Sequence, residues 1–268
     1  MKQDSAVYNP ALGRFVPRVT TVLRVLDKFN LRYWYALEAA KHGIRAGMAI
    51  SFDEDVSLEE RAKSCVEKVD QYVADTADFG DEVHQWLRRF NSDDPAEPSE
   101  LIAACVAPWP AWNKKHVLAI HYVEQQVYGE IDGLHYGGTL DFLPLLRAGT
   151  KLGHGGRVLE DNTWAWIDFK TGGQYYPDQG YQTAAYLNAT PKGLDGELIR
   201  LTIRLDREKP GKVYLHEWTD YDNDLGMFRD CLSIWYRLNG HRLTDMVQSS
   251  STQKEIACLA SNSTPSTS

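Results

Sequence analysis

Asp168 and Lys170, in the stretch Trp164-Ala-Trp-Ile-Asp-Phe-Lys170, are the residues whose types and spacing most suggest chemistry. The stretch has the apolar character of a strand, and strand residues two apart emerge on one face. A carboxylate and an ammonium side by side suit hydrolysis of a phosphodiester. The carboxylate can hold a hard divalent ion, while the lysine can position or activate water and neutralise charge developing on phosphate. The same two residues would also serve as a structural ion pair.

Four more residues could join them. Asp141 follows Gly137 and Gly138 near the end of a second strand pattern, where a lone carboxylate is more often an ordinary strand-end residue. Gln182 and Tyr186 lie one helical turn apart. An amide there can orient water or a phosphate oxygen and a tyrosine can touch substrate backbone; a polar helix face edged by an aromatic is the plainer alternative. His84 stands four residues after Gly80 on a helical pattern, and an imidazole can complete an oxygen-rich metal site.

The elements that must hold these residues follow from periodicity. Helices are expected around Val22–Leu26, entered through Thr20 or Thr21, and around Leu31–Lys41. A long helix starts at Ser57, with Glu60 at the capping-box position, and continues, with or without a break, through Phe90. A third helical region ends near His116. Tyr122–Tyr128 and His135–Leu143 read as strands about a turn at Gly129–Gly133, followed by a strand at Thr163–Lys170 and a helix at Pro177–Asn188. Strands near Leu198–Leu205 and Val213–Trp218 and a helix at Asp222–Asn239 complete an α/β core. The organisation expected is a helical N-terminal region over 1–120, an α/β core over 121–247 forming one structural unit with it, and a disordered Ser/Thr-rich tail over 248–268.

In this order, Gly80-Asp-Glu-Val-His84, Gly138-Thr-Leu-Asp141, Asp168-Phe-Lys170 and Gln182-Thr-Ala-Ala-Tyr186 resemble the PD-(D/E)XK nuclease superfamily, in its branch related to the RecB nuclease domain, Cas4 and exonucleases of phages and mitochondria. Val16-Pro-Arg-Val-Thr-Thr-Val-Leu23 and Trp34 are similar to the N-terminal region of phage members. The resemblance implies a restriction-endonuclease-like central mixed sheet flanked by helices, with an N-terminal helical annex. It implies Mg²⁺ or Mn²⁺ held by His84, Asp141, Asp168 and the Phe169 carbonyl, with Asp141, Asp168, Lys170 and Gln182 catalytic. Tyr186, Thr171 and Trp34 would meet the substrate, and Glu124 would stand behind the ligands. The activity implied is a DNA exonuclease acting at ends in recombination, repair or phage DNA metabolism.

Other features narrow the class. A net charge of -8 argues against a broadly basic nucleic-acid surface without excluding a local basic groove. Lys28, Arg32, Lys41, Arg45, Arg88, Arg89, Lys114 and Lys115 are candidate phosphate contacts, though scattered cations usually solvate a face. The cysteines at 65, 105, 231 and 258 form no CxxC pair and lack the spacing of iron–sulfur relatives, so no cluster is expected. Without a secretory leader or membrane span, the expectation is a cytoplasmic protein of a bacterial or phage-infected cell, with no membrane partner. Lacking a Gly-x-x-x-x-Gly-Lys-Ser/Thr loop, it would need a helicase partner for any ATP-driven step, and a recombination or annealing protein is a further candidate. The alternatives are a catalytically silent DNA-binding or recruiting module, which has no use for the full Asp141/Asp168/Lys170 set, and an unrelated metal hydrolase of small phosphoesters.

Overall fold

Asp132 and Gly133 turn the chain between β3 (Val117–Ile131) and β4 (Leu134–Leu146), both with positive φ, 53° and 76°. That is the backbone a two-residue hairpin turn demands and an Asp-Gly pair supplies. The computed structural model describes residues 5–26, 29–49, 57–94, 96–190, 194 and 196–248. Of the tail expected to be disordered over 248–268, Gln248 is the last residue of a helix and the rest lies outside the described residues.

From this hairpin the sheet grows by one strand at a time, in the order β3-β4-β5-β6-β7. β5 (Thr163–Lys170) runs antiparallel to β4, and β6 (Leu198–Leu205) runs parallel to β5. The parallel step requires a crossover, supplied by α6 (Pro177–Ala189). β7 (Val213–Glu217) returns antiparallel at the edge. The sheet is therefore mixed, as expected, and β5 and β6 are buried almost throughout because helices cover both faces.

On one face, α3 (Leu58–Asn91), α4 (Glu100–Val106) and α5 (Trp109–His116) set Val83, Leu87, Ile102 and Trp109 against Phe142, Ile167, Phe169 and Ile203. Against the other, α1 (Val19–Val22), α6 and α7 (Tyr221–Gln248) set Val22, Ala185, Phe228 and Trp235 against Leu140, Leu143 and Trp166. Buried Cys105 and Cys231 belong to these two opposite cores. Among the described residues, no helix is long and apolar enough to cross a membrane.

Several local expectations change. α3 is continuous over 34 residues, without a break, and begins at the capping box: Ser57 Oγ accepts from the Glu60 amide at 3.2 Å, and the Ser57 amide donates to Glu60 Oε2 at 3.0 Å. α1 starts earlier than Thr20 or Thr21 allowed, with Arg18 at the cap position and no side-chain cap, and Thr21 is buried instead. A small hairpin, β1 (Ala6–Asn9) with β2 (Arg14–Pro17), precedes it and joins the main sheet through a bridge from Arg18 to Gly137. Its four-residue strands are too short for a readable period. α2 (Phe29–Ala49) packs along α3, farther than the eleven-residue pattern Leu31–Lys41 suggested.

Trp109 joins the helical layer to the sheet. Its ring meets Phe142 at 5.9 Å and Phe169 at 5.0 Å edge-on, and its indole N–H donates to Asn91 Oδ1 at 3.1 Å. Trp109→Ala is expected to cost about 3–5 kcal/mol in urea unfolding; a loss below about 1 kcal/mol would mean this layer does not pack as described.

Candidate active site

Strands β4 and β5 pair at Phe142–Ile167 and then part, so the next residues, Asp141 and Asp168, face each other across an opening rather than a ladder. The backbone N–H of Phe169 donates to Asp141 Oδ2 at 2.8 Å. A buried amide released from a ladder needs such an acceptor, and the bond fixes the carboxylate's orientation.

Two other elements converge on that carboxylate. α3 brings His84, whose Nδ1 lies 3.6 Å from Asp141 Oδ2. β3 brings Glu124, which the hairpin register sets directly opposite Asp141, between the pairs Val123–Phe142 and Gln125–Leu140. Glu124 has φ 49° in mid-strand, a conformation that non-glycine residues rarely adopt and that takes its pair out of the ladder. One ligand atom from each of His84, Glu124 and Asp141 lies within 4.8 Å of the others. Glu124 thus stands among the potential donors, not behind them as the sequence suggested.

Asp168 takes a different place. Only 4% exposed, it lies outside that three-donor group, and its Oδ1 accepts from Lys170 Nζ at 2.8 Å and from Gln182 Nε2 at 2.9 Å. Lys170 Nζ is also 2.7 Å from Oδ2, yet Oδ2 has no hydrogen bond. The same-face placement of Asp168 and Lys170 expected from alternation therefore produces an ion pair, with Gln182 as its third member.

Burial and neighbouring charge set the protonation of the group. Burial, reinforced by the Asp141 charge, pushes Glu124 up to about 7, against the opposing pull of His84 and Arg88. Burial also raises Asp168, while the Lys170 ammonium works against it. For Lys170, burial alone would lower the pKa, but the charges of Asp168 and Asp141 outweigh it and hold the value above the usual lysine range. Lys170 is thus an ammonium.

An imidazole and two carboxylates are hard-cation donors with a tolerance for Mn²⁺ through the nitrogen. The residues present fit a divalent ion. No protein-family model matches the chain, and no curated protein matches it either.

The remaining expected residues separate. Thr171 follows Lys170 and turns its hydroxyl towards α3, where a Cβ on Gly80 would lie 3.6 Å from Oγ1. That is ordinary contact, so Gly80 is not required for a close approach. Tyr186 is only 5% exposed and stacks on Trp166 at 5.6 Å and 9°. Its ring fills the space above Gly138, and burial, then the charges of Asp141 and Asp168, drive its pKa upward. Tyr186 is accordingly the floor of the site, not an open substrate contact. Gly137 and Gly138 likewise make room for Val7, Tyr128 and Tyr186 rather than for a ligand. Trp34 lies on α2 with its ring 6.0 Å from that of Tyr72, and no contact joins it to the acidic group among the described residues.

A Cβ on Gly138 would come within 2.6 Å of the Tyr186 ring. Gly138→Ala should therefore displace the tyrosine from Trp166 and cost about 1–3 kcal/mol. A thermal melt with tryptophan fluorescence checks this, and an unchanged transition and spectrum would remove Tyr186 from the role of floor.

Proposed function

We propose that this protein is a metal-dependent deoxyribonuclease of the PD-(D/E)XK type, with a restriction-endonuclease-like core, acting as an exonuclease at DNA ends. The observation that carries the proposal is the convergence of His84, Glu124 and Asp141 beside a buried Asp168–Lys170 pair. Metal ligands and a lysine in that relation suit a reaction whose transition state gathers negative charge on phosphate oxygens.

His84, Glu124 and Asp141 would hold Mg²⁺ or Mn²⁺, with Asp168 and the Phe169 carbonyl as further ligands. The ion would lower the pKa of a bound water and offset phosphate charge. The protein's own groups supply orientation. The Phe169 amide fixes Asp141, Gln182 fixes Asp168 Oδ1, and Asp168 holds the Lys170 ammonium at the sheet face. Lys170, charged rather than neutral, serves to neutralise an attacking hydroxide or the phosphoryl oxygens. Thr171, next in the chain, would touch the substrate backbone. Recombination, repair or phage DNA metabolism is the setting proposed, in the cytoplasm, with a helicase or annealing protein as partner for work on duplexes.

End-labelled single-stranded, duplex and circular DNA incubated with Mg²⁺, Mn²⁺ or EDTA tests this reading. Cleavage should require the ion, and Lys170→Ala and Asp168→Asn should each lower kcat about a hundredfold or more. EDTA-resistant cleavage, or full activity in both variants, would sink the mechanism. Separately, calorimetry with Mn²⁺ should show affinity falling about tenfold or more for His84→Ala and for Glu124→Gln. An unchanged affinity in Glu124→Gln would return that residue to a supporting position.

A further inference from the structure

One ridge of α3 crosses the whole candidate site. Thr76, Gly80, His84 and Arg88 are spaced by four residues and so form one of the helix's i+4 rows. The row meets a different segment of the sheet at each step. Arg207, just beyond β6, lays its guanidinium 4.8 Å from the Phe79 ring centroid and donates to Thr76 Oγ1 at 3.4 Å. Thr171, just beyond β5, lies over Gly80, and Asp141 of β4 meets His84. At the far end, Arg88 is near enough to Glu124 of β3 for its charge to act on that carboxyl.

Two cations therefore flank the acidic group along this row, one on each side. Both are exposed, and among the described residues neither pairs with a carboxylate at salt-bridge distance. The contrast with their neighbours is informative. Arg89 is bound to Asp94 at 3.0 Å, and Arg204 to Asp206 at 2.9 Å, so these cations are already neutralised. The row from Thr76 to Arg88 rises about 18 Å, the length of a few nucleotides of backbone.

We propose that one nucleic-acid strand binds along this ridge, with Arg207 and Arg88 gripping phosphates on either side of the phosphate at the His84–Glu124–Asp141 group. This rests on the nuclease reading and deepens it by assigning the path of the strand, its two phosphate contacts and a single strand as the occupant. The narrowness of the feature favours a single strand over the face of a duplex. A chain of net charge -8 offers a line of two cations without carboxylate partners among the described residues here, whereas duplex binding draws on a broad basic surface.

Kinetics on an end-labelled single strand of about 12 nucleotides, the matching blunt duplex and bis(p-nitrophenyl) phosphate, with Mn²⁺, test the proposal. Arg88→Ala and Arg207→Ala should each lower kcat/KM on the single strand about tenfold, chiefly through KM. The slope of log kcat/KM against log salt should flatten by about 0.7 for each cation removed. The loss on the small diester should be smaller by about fivefold or more, and Arg88→Lys and Arg207→Lys, which keep the charge, should recover most of the single-strand rate. Equal losses on polymer and small diester, an unchanged salt slope, or effects confined to the duplex would overturn the ridge as a strand path. Wild-type inactivity on all three substrates with either ion would count against the nuclease reading instead. In that case fluorescence anisotropy of the uncleaved single strand decides the ridge, since the two alanine variants must still bind it more weakly.

Discussion

The bond from the Phe169 amide to Asp141 Oδ2 is the constraint around which the site is arranged. An antiparallel pair of strands would ordinarily satisfy that amide across the ladder, leaving no room between them. Here β4 and β5 stop pairing at Phe142–Ile167, and a side chain takes over the acceptor role. The exchange opens a gap at the centre of the sheet without stranding a backbone donor, and it aims one carboxylate at the gap. The packing of Phe142, Phe169 and Trp109 on the adjacent face keeps the two strands rigid up to the point where they divide.

Gathering carboxylates in a half-buried gap carries an electrostatic cost, visible in the upward displacement of Glu124 and Asp168. The protein offsets only part of it. Lys170 and Gln182 satisfy Asp168 Oδ1, His84 approaches Asp141, and Glu124 is left with a neighbouring like charge in a left-handed backbone conformation. A chain selected for stability alone would replace such a cluster with apolar residues of similar volume. Residual repulsion that a bound cation would relieve is what distinguishes a binding site from a structural ion pair. It is also why the Asp168–Lys170 pair, ambiguous by itself, gains meaning from the three donors next to it.

Much of this was legible in the sequence, and the part that was not has identifiable physical causes. The strand bearing Asp168 and Lys170 declared its shared face by alternation, and the capping box at Ser57 fixed the start of α3. Glu124 was also within reach. Asp132-Gly133 is a two-residue turn, so Glu124 and Asp141, each seven residues from the strand ends Ile131 and Leu134, must be opposite. A turn placed loosely over Gly129–Gly133 hid that register. Tyr186 and Gly138 show the opposite limit. A glycine in a strand signals a close approach but not what approaches, and only the packing of α6 on β4 reveals that the protein's own ring fills the space. The β1–β2 hairpin was unreadable because strands of four residues carry no period.

The continuity of α3 matters more for function than its length suggests. Had the helix broken near Phe79, as its composition allowed, His84 and Arg88 would belong to a separate short element whose position relative to β6 could vary. As a single helix, it holds its second half by burying Phe79, Val83, Trp86 and Leu87 against the sheet layer. The neighbouring row, Thr76 to Arg88, is thereby held beside four successive strands, β6, β5, β4 and β3. The residues that face Arg207, Thr171, Asp141 and Glu124 share one rigid backbone, so their spacing is set by helical rise rather than by loops. The linear polymer proposed as substrate would match such a ruler: its charges recur at regular intervals, and a site on separate loops would have to order each contact at its own entropic cost.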